Sequence, residues 1–270
     1  MALGVLSGCD KTIPKTSPAQ EARIVSLAPS TTEALYAVGL GTQVVGVSRY
    51  CDFPPEARKL PRVGGFIDPS LEAILALHPT WVVGARSPSN RGVVTTLQAR
   101  GIETWFPKVE SVPDVVKLLR GLGARMHRNA DAERVVRALE HDLKAITKTY
   151  RDSPQPRVLL IFSEEPLSVA GPGSLGDEMI THAHARNALK FGQRYATLGI
   201  EQVIELAPDI IVIARHSTSP MGDPTLDWQR FRTIPAVANK RVHIVRDDRL
   251  LRPGPRIAQG VQVLAHTIHQ

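Results

Sequence analysis

The sequence predicts an α/β protein built as two lobes that one long helix joins. Short apolar segments alternate with amphipathic segments in residues 23–128 and again in residues 153–270, and an uninterrupted helical pattern lies between them at 129–152. One fifteen-residue line occurs in each lobe, as EAILALHPTWVVGAR at 72–86 and as EQVIELAPDIIVIAR at 201–215. Alternating helices and short buried strands are typical of a parallel sheet covered on both faces. Two related lobes usually enclose a ligand between them.

Composition limits the classes of function. The chain has 270 residues, of which 43% are hydrophobic and 22% charged, as in an ordinary globular protein. The net charge is +7, but the basic residues are interleaved with acids and aromatic residues make up only 5%. No pattern of a nucleic-acid-binding motif occurs, so we expect no nucleic-acid partner.

The first 22 residues predict an anchor and a tether. Leu6-Ser7-Gly8-Cys9 matches a bacterial lipobox, in which the cysteine is acylated. The alternative is a chance tetrapeptide of small residues. If Cys9 is acylated, the chain is exported, and Asp10 resembles the signal that keeps lipoproteins at the inner membrane. Residues 10–22 are polar with two prolines, which suits a flexible tether.

The N-terminal lobe, residues 23–128, opens on a predicted strand at Ile24–Leu27. A helix follows, with Ser30 and Glu33 at the spacing of a capping box. A second strand is expected at 44–48.

The first copy of the repeat predicts a helix followed by a buried strand. Ser70 is the expected N-cap, Pro79 lies just beyond the helix, and WVVGA forms the strand. A helix at 93–100 and a strand at 102–106 complete the predicted lobe.

The segment 129–152 predicts the linking helix. Residues 129–151 contain no Gly or Pro, and their apolar residues recur at steps of three and four. Such a helix would be roughly 33 Å long at the usual rise per residue.

The C-terminal lobe, residues 153–270, resumes the alternation. A strand is expected in RVLLIF, a turn in the glycine-rich GPGSLG, a helix from about Leu175, and a strand at 241–245. The second repeat copy shares six of fifteen positions with the first at one fixed register. General similarity of helix–strand units is the alternative explanation of this match.

No catalytic motif accompanies this architecture. Walker A, G-x-S-x-G and H-E-x-x-H patterns are absent, and no convergent set of histidines and carboxylates predicts a metal site. We therefore expect a protein that is not an enzyme and has no intrinsic cofactor. An enzyme that acts on a nucleotide or a tetrapyrrole is the rival from another class.

A further signal comes from three segments, PRVGGF, DPSLEAI and RPGPRIAQGV. Together with the long linking helix, they resemble the helical-backbone substrate-binding proteins of ABC importers. The similarity runs from about Arg23 to the C-terminus and is greatest to the cobalamin binders of that family. The resemblance implies two Rossmann-like lobes in the class III periplasmic binding protein fold. It also implies a monomeric periplasmic receptor, anchored to the inner membrane through Cys9, whose partners are a permease dimer and its ATPase subunits.

In this family, a glutamate on each lobe docks into arginine pockets of the permease. Glu72 and Glu201 match those positions, one in each copy of the repeat. Charge-assisted contacts of two carboxylates with arginines would fix the orientation of the receptor. Alternatively, each glutamate only stabilises its helix N-terminus through the dipole.

The resemblance also implies ligand-binding residues. Three aromatic residues fall at or near cleft positions, and one glutamate and four arginines are further candidates. The set is Tyr50, Phe66, Tyr195, Glu165, Arg86, Arg249, Arg252 and Arg256. The alternative is a set of packed aromatic side chains and solvated arginines.

The ligand implied first is cobalamin or a related corrinoid, and haem or a ferric siderophore is the alternative. Cobalamin carries little net charge, whereas the carboxylates of haem and siderophores favour guanidinium partners. Tyr50 or Tyr195 would supply a phenolate to haem iron, and Cys51 would be a soft ligand or, alternatively, a buried structural thiol.

Overall fold

The computed structural model describes residues 22–219 and 226–270. The predicted lipobox, including Cys9, lies outside these residues. The described part of the chain folds around two β-sheets flanked by helices, which confirms the predicted α/β class. None of its helices is both long and apolar enough to cross a membrane.

The first sheet defines the N-terminal lobe. Its strands are β1 Ile24–Ser26, β2 Val44–Val47, β3 Trp81–Val83 and β4 Glu103–Trp105. The helices of this lobe are α1 Pro29–Ala37, α2 Leu71–Ala76, α3 Arg91–Ala99 and α4 Val112–Arg125. The order of the strands is β2-β1-β3-β4, and all neighbours are parallel, as the alternation of helices and strands predicts.

The predicted capping box at the start of α1 is wrong. The helix begins at Pro29, two residues earlier than a helix capped by Ser30 would begin, and its N-cap is Ala28, which has no side-chain acceptor. Proline is favoured at the first helical position because its fixed φ suits the helix and its missing N–H is not needed there. Ser30 therefore lies inside the helix. In α2, by contrast, Ser70 caps as predicted, accepting a hydrogen bond from the backbone N–H of Ala73.

The linking helix α5 spans Asn129–Thr149, close to its predicted bounds. Near its start it packs tightly on α4, since a Cβ added at Gly123 would lie 2.7 Å from the Cβ of Ala132. Near its end, the hydroxyl of Thr147 donates to the carbonyl of His182 in the C-terminal lobe, at 3.1 Å. One continuous apolar core runs from the first lobe through α5 into the second.

The second sheet defines the C-terminal lobe. Its strands are β5 Arg157–Glu164, β6 Leu167–Ala170, β7 Arg186–Asn187, β8 Tyr195–Thr197, β9 Ile210–Arg215 and β10 Val242–Arg246. Its helices are α6 Leu175–His182, α7 Ile200–Leu206, α8 Pro235–Ala238 and α9 Ile257–His269.

This second sheet is mixed, which corrects the expectation of a parallel sheet. The order is β10-β9-β5-β6-β8, with β7 beside the start of β5. β10, β9, β5 and β7 pair in parallel, whereas β6 is antiparallel to both β5 and β8. A two-residue connection between β5 and β6 forces the chain to turn back, because parallel neighbours need a long crossover.

The repeated line forms the same unit in both lobes. α2 and β3 correspond to α7 and β9, and each of these strands pairs in parallel with the first strand of its lobe. The registers correspond as well: Trp81 lies opposite Ile24, and Ile210, at the same repeat position, lies opposite Val158. The predicted helix–strand unit is therefore confirmed as the centre of each lobe.

Candidate ligand-binding site between the lobes

The carboxyl ends of the two sheets meet at the boundary between the lobes. The loop after β2 contains Asp52, and the segment after β10 contains Arg252, whose guanidinium binds the Asp52 carboxylate in a bidentate contact. In open α/β sheets, ligands bind outside the carboxyl ends of the strands. The boundary that this ion pair crosses is therefore the candidate site.

Arg252 and Arg256 both reach from the second lobe into the first. Arg256 holds the buried Glu33 carboxylate of α1 through Nε at 2.8 Å and Nη2 at 2.6 Å. Its guanidinium also stacks over the ring of Phe53, 3.7 Å from the centroid. Arg252 contacts Glu33 as well, at 3.6 Å, and Asp248 of its own lobe at 3.3 Å. Both predicted arginines are thus already neutralised by carboxylates.

Tyr50 lies in the loop after β2 and keeps 53% of its surface exposed. The backbone of this loop is fixed by arginines of its own lobe. Arg62 donates from Nη1 to the carbonyls of Ser48 (3.0 Å) and Cys51 (2.7 Å), and Arg58 donates to the carbonyl of Asp52 (2.7 Å). The phenol is therefore an exposed group on a rigid support.

Phe66 is half-buried in a neighbouring turn that is tied to the Tyr50 loop. The backbone N–H of Arg49 donates to the carbonyl of Gly64 at 2.8 Å, and its guanidinium contacts Asp68 at 2.5 Å. Ile67, beside Phe66, is 64% exposed. The two aromatic candidates of the first lobe therefore lie on connected loops.

Tyr195 is the exposed aromatic candidate of the second lobe. Its neighbour Arg194 crosses to Glu110 of the first lobe at 3.3 Å, which brings this end of β8 to the boundary. The ring lies 6.1 Å from that of Phe162. Partial burial, followed by the nearby charge of Glu110, raises the pKa of the Tyr195 phenol.

Phe191 was not among the predicted site residues, yet it is 84% exposed and lies four residues before Tyr195. A sequence pattern does not show whether such a phenylalanine is exposed or packed in the core.

The remaining candidates differ in their surroundings. Glu165 is exposed in the turn between β5 and β6. Arg249 folds back on Asp247, with Nη2 2.5 Å from the carboxylate. Arg86 is exposed, and within the described part of the chain its side chain has no hydrogen bond or ion pair, unlike Arg215 at the same repeat position, which binds Glu164 at 2.6 Å.

Cys51 is a buried thiol, as one of the two alternatives predicted. The hydroxyl of Thr32 donates to its sulfur at 3.1 Å, and Ser48 hydrogen bonds to it at the same distance. Burial raises the pKa of the thiol. A neutral, packed thiol of this kind contributes to the core rather than to ligand chemistry.

The structure bears on metal binding and on the predicted docking contact in different ways. Within the residues that the structure describes, no group of three His, Cys, Asp or Glu side chains is placed to hold a metal ion. Glu72 and Glu201 are both exposed in the first turns of α2 and α7. Their carboxylates are therefore accessible to a partner.

Comparison with known proteins identifies relatives over almost the whole chain. The chain is 30% identical over 254 residues to the uncharacterized ABC transporter substrate-binding lipoprotein YvrC of Bacillus subtilis, covering 92% of this chain and 80% of that protein. It is 26% identical over 241 residues to the vitamin B12-binding protein of Vibrio parahaemolyticus, with 88% and 86% coverage.

The fold matches solved structures closely. The periplasmic heme-binding protein RhuT of Roseiflexus, in its apo form, superposes with a TM-score of 0.78 at 25% identity, covering 93% of this chain and 98% of that one. The class III periplasmic binding protein fold that the sequence predicts is therefore confirmed. Because these relatives are binding proteins, the prediction that the chain is not an enzyme is confirmed as well.

Residues 24–248 match the periplasmic binding protein family. This match covers both sheets and the helix between them. The chain belongs to the periplasmic binding protein family, as a substrate-binding protein of an ABC transporter.

Proposed function

We propose that this substrate-binding protein captures cobalamin or a related corrinoid between its lobes and delivers it to the permease. One observation carries the proposal: exposed aromatic rings lie on both sides of the boundary, whereas the guanidinium groups near them are already paired. Tyr50 and Tyr195 present 53% and 46% of their surfaces, beside residues that cross between the lobes. Exposed rings on both lobes suit stacking against a large flat macrocycle.

The charge pattern favours a ligand without strong net charge. Six arginines at or near the boundary are each paired with a carboxylate: Arg49–Asp68, Arg194–Glu110, Arg215–Glu164, Arg249–Asp247, Arg252–Asp52 and Arg256–Glu33. A ligand carboxylate that bound one of these six arginines would have to displace its partner and leave that carboxylate without its cation, which is costly for a buried group. The amides of a corrinoid need only hydrogen bonds, for which the exposed Arg86 is a candidate donor.

Haem or a ferric siderophore is the second candidate. The exposed phenol groups of Tyr50 and Tyr195 favour it, because a phenolate is an axial ligand of haem iron. The structural similarity to a heme-binding protein is consistent with this alternative.

A titration of the purified protein with cyanocobalamin, haemin and a ferric siderophore separates these candidates. We expect saturable, one-to-one binding of cyanocobalamin, followed by its absorption spectrum or by calorimetry. Tight binding of haemin with the spectrum of a tyrosinate complex, and none of cyanocobalamin, would overturn the proposal.

Variants of the two tyrosines give a second, independent test. If the rings stack on a corrinoid, Tyr50→Phe and Tyr195→Phe should retain affinity, whereas Tyr→Ala should weaken it roughly ten- to a hundred-fold, as expected for about 1.5–3 kcal/mol of lost burial. If a phenolate binds iron, Tyr→Phe should be as damaging as Tyr→Ala. The two patterns are opposite for the same pair of substitutions.

Docking and anchoring complete the proposal. Glu72 and Glu201 would present one carboxylate per lobe to the two subunits of a permease dimer with its ATPase subunits. Acylation of Cys9 would hold the monomeric receptor at the inner membrane, on its periplasmic side. The equivalent, exposed positions of the two glutamates support the docking contact.

A further inference from the structure

The loop that carries Tyr50 is held from both lobes at once. Arg58 and Arg62 bind its carbonyls from the first lobe. From the second lobe, Arg252 binds the Asp52 carboxylate, and its Nη2 also lies 3.5 Å from the carbonyl of Tyr50. We call the contact between Asp52 and Arg252 the cross-lobe pair.

The cross-lobe pair is shielded from water on the side of the arginine. The side chain of Arg252 is 9% exposed and that of Asp52 is 33% exposed. Burial alone would lower the pKa of Arg252, but the hydrogen bond to Asp52 and the charges of Asp248, Asp52 and Glu33 raise it overall. The guanidinium therefore stays charged, and the cross-lobe pair joins two residues that lie 200 positions apart in the chain.

The charged groups around Arg252 come from both lobes. Asp52 and Glu33 face it from the first lobe, and Asp248 faces it from its own. Arg256 lies beside it on Glu33, and His216 contacts the other side of the cluster through Asp248 at 2.7 Å. Three carboxylates thus surround the guanidinium in the structure.

From this geometry we infer that Arg252 is a positioning residue: by binding Asp52 it fixes the Tyr50 loop relative to the second lobe, and ligand affinity depends on it without contact to the ligand. This inference rests on the proposed function and gives Arg252 a different role from that of a ligand-binding residue. A loop fixed in its bound conformation binds more tightly because less freedom is lost on binding. Loss of the cross-lobe pair should therefore act mainly on the rate of ligand release.

Hydrogen exchange of the ligand-free full chain tests the inference directly. We would compare wild type with Arg252→Gln, Asp52→Asn and the double variant, and use Arg120→Gln as the control. Arg120 forms an ion pair of similar length with Glu133, at 2.6 Å, but joins α4 to α5 away from the loop. We expect amides of residues 48–54 to exchange at least about tenfold faster in all three cross-lobe variants and to be unchanged in the control, as for local opening.

Binding of cyanocobalamin to the same proteins provides the functional measurement. Each single variant should weaken binding about tenfold, mostly through faster release, and the double variant should be no weaker than either single variant. Such non-additivity is the mark of two residues that act through one contact. If Arg252→Gln does not fold, Asp52→Asn tests the same contact from the more exposed side.

Two outcomes would overturn the inference: unchanged exchange at residues 48–54, or additive losses of affinity in the double variant. Unchanged exchange together with weaker binding by Arg252→Gln would make Arg252 a ligand contact. If wild type does not bind cyanocobalamin, the corrinoid proposal fails, while the exchange measurement still decides whether Arg252 holds the loop.

Discussion

His78 and Ala207 occupy the same position in the two copies of the repeat, and both adopt a left-handed backbone, with φ of 47° and 42°. Each lies between a helix and a proline, Pro79 or Pro208. A left-handed residue is a common way to end a helix, and glycine is preferred there because other residues pay a steric penalty. The two lobes therefore share a local backbone strain as well as a sequence pattern.

Replacement of Ala207 by glycine should stabilise the protein. Glycine relieves the left-handed conformation but loses more freedom on folding, so we expect a net gain of about 0.5–1 kcal/mol, or roughly 1–3 °C in Tm. Thermal denaturation measures it. As the matched control, Ala145→Gly on the exposed face of α5 should lower stability by about 0.5–1 kcal/mol. If both substitutions changed the stability in the same direction, the explanation would be wrong.

The double variant Glu72→Ala with Glu201→Ala should abolish ligand uptake and leave ligand affinity unchanged. Both carboxylates are exposed in the first turns of their helices, so their loss should cost only about 0.3–1 kcal/mol each in stability. Uptake in cells and titration of the purified protein measure the two effects separately.

The control for docking is a pair of exposed glutamates at other positions. Glu140→Ala with Glu205→Ala removes the same charge from α5 and from the last turn of α7. This variant should transport normally. If the Glu72 and Glu201 variant also transports normally, the docking assignment is wrong.

Closure of the lobes on ligand binding should be small. The helix α5 packs on α4 near its start and bonds to the end of α6 through Thr147, and a continuous helix resists bending. Small-angle scattering with and without cyanocobalamin should show nearly the same radius of gyration. A large compaction would show that the linking helix bends or that its packing is lost.

Stability should fall in acid partly through Asp52 and Asp248. Burial raises the pKa of each carboxyl, but other interactions lower it below the ordinary 3.8. For Asp52 these are the hydrogen bond and the positive charge of Arg252. For Asp248 they are hydrogen bonds from Ser217 and His216 and the positive charge of Arg252. Their contribution is therefore complete above pH 3.8 and is lost as the pH falls through the lower folded-state pKa values.

Unfolding curves between about pH 2 and pH 6 test this linkage. Asp52→Asn should be less stable than wild type at neutral pH, and the difference should shrink in acid, where the wild-type carboxyl is protonated too. A difference that stays constant over this range would show that ionisation of Asp52 does not contribute.

Local patterns were enough to predict much of the fold. The helix–strand repeat, the Ser70 cap and the linking helix all follow from spacing within short segments. The antiparallel return of β6 does not, because an apolar run such as RVLLIF has the same pattern beside a parallel or an antiparallel neighbour. The helices α4 and α9 were also not predicted.

Pairing between residues that are far apart in the sequence explains why the contacts of the site could not be predicted. Glu33 has the spacing of a capping residue, yet its partner is Arg256, 223 residues away. The sequence identifies Arg252 and Arg256 as cationic candidates, but only the meeting of the two lobes shows that carboxylates neutralise them. The exposure of rings such as Phe191 likewise could be seen only in the folded structure.

The apolar core that passes through α5 has a thermodynamic consequence. Residues Val136 and Leu143 of that helix belong to the same buried cluster as Leu35 in one lobe and Leu264 in the other. Neither lobe can lose its packing without exposing the surface of the shared helix. The chain should accordingly melt in one cooperative transition, with equal calorimetric and van't Hoff enthalpies, rather than as two independent domains.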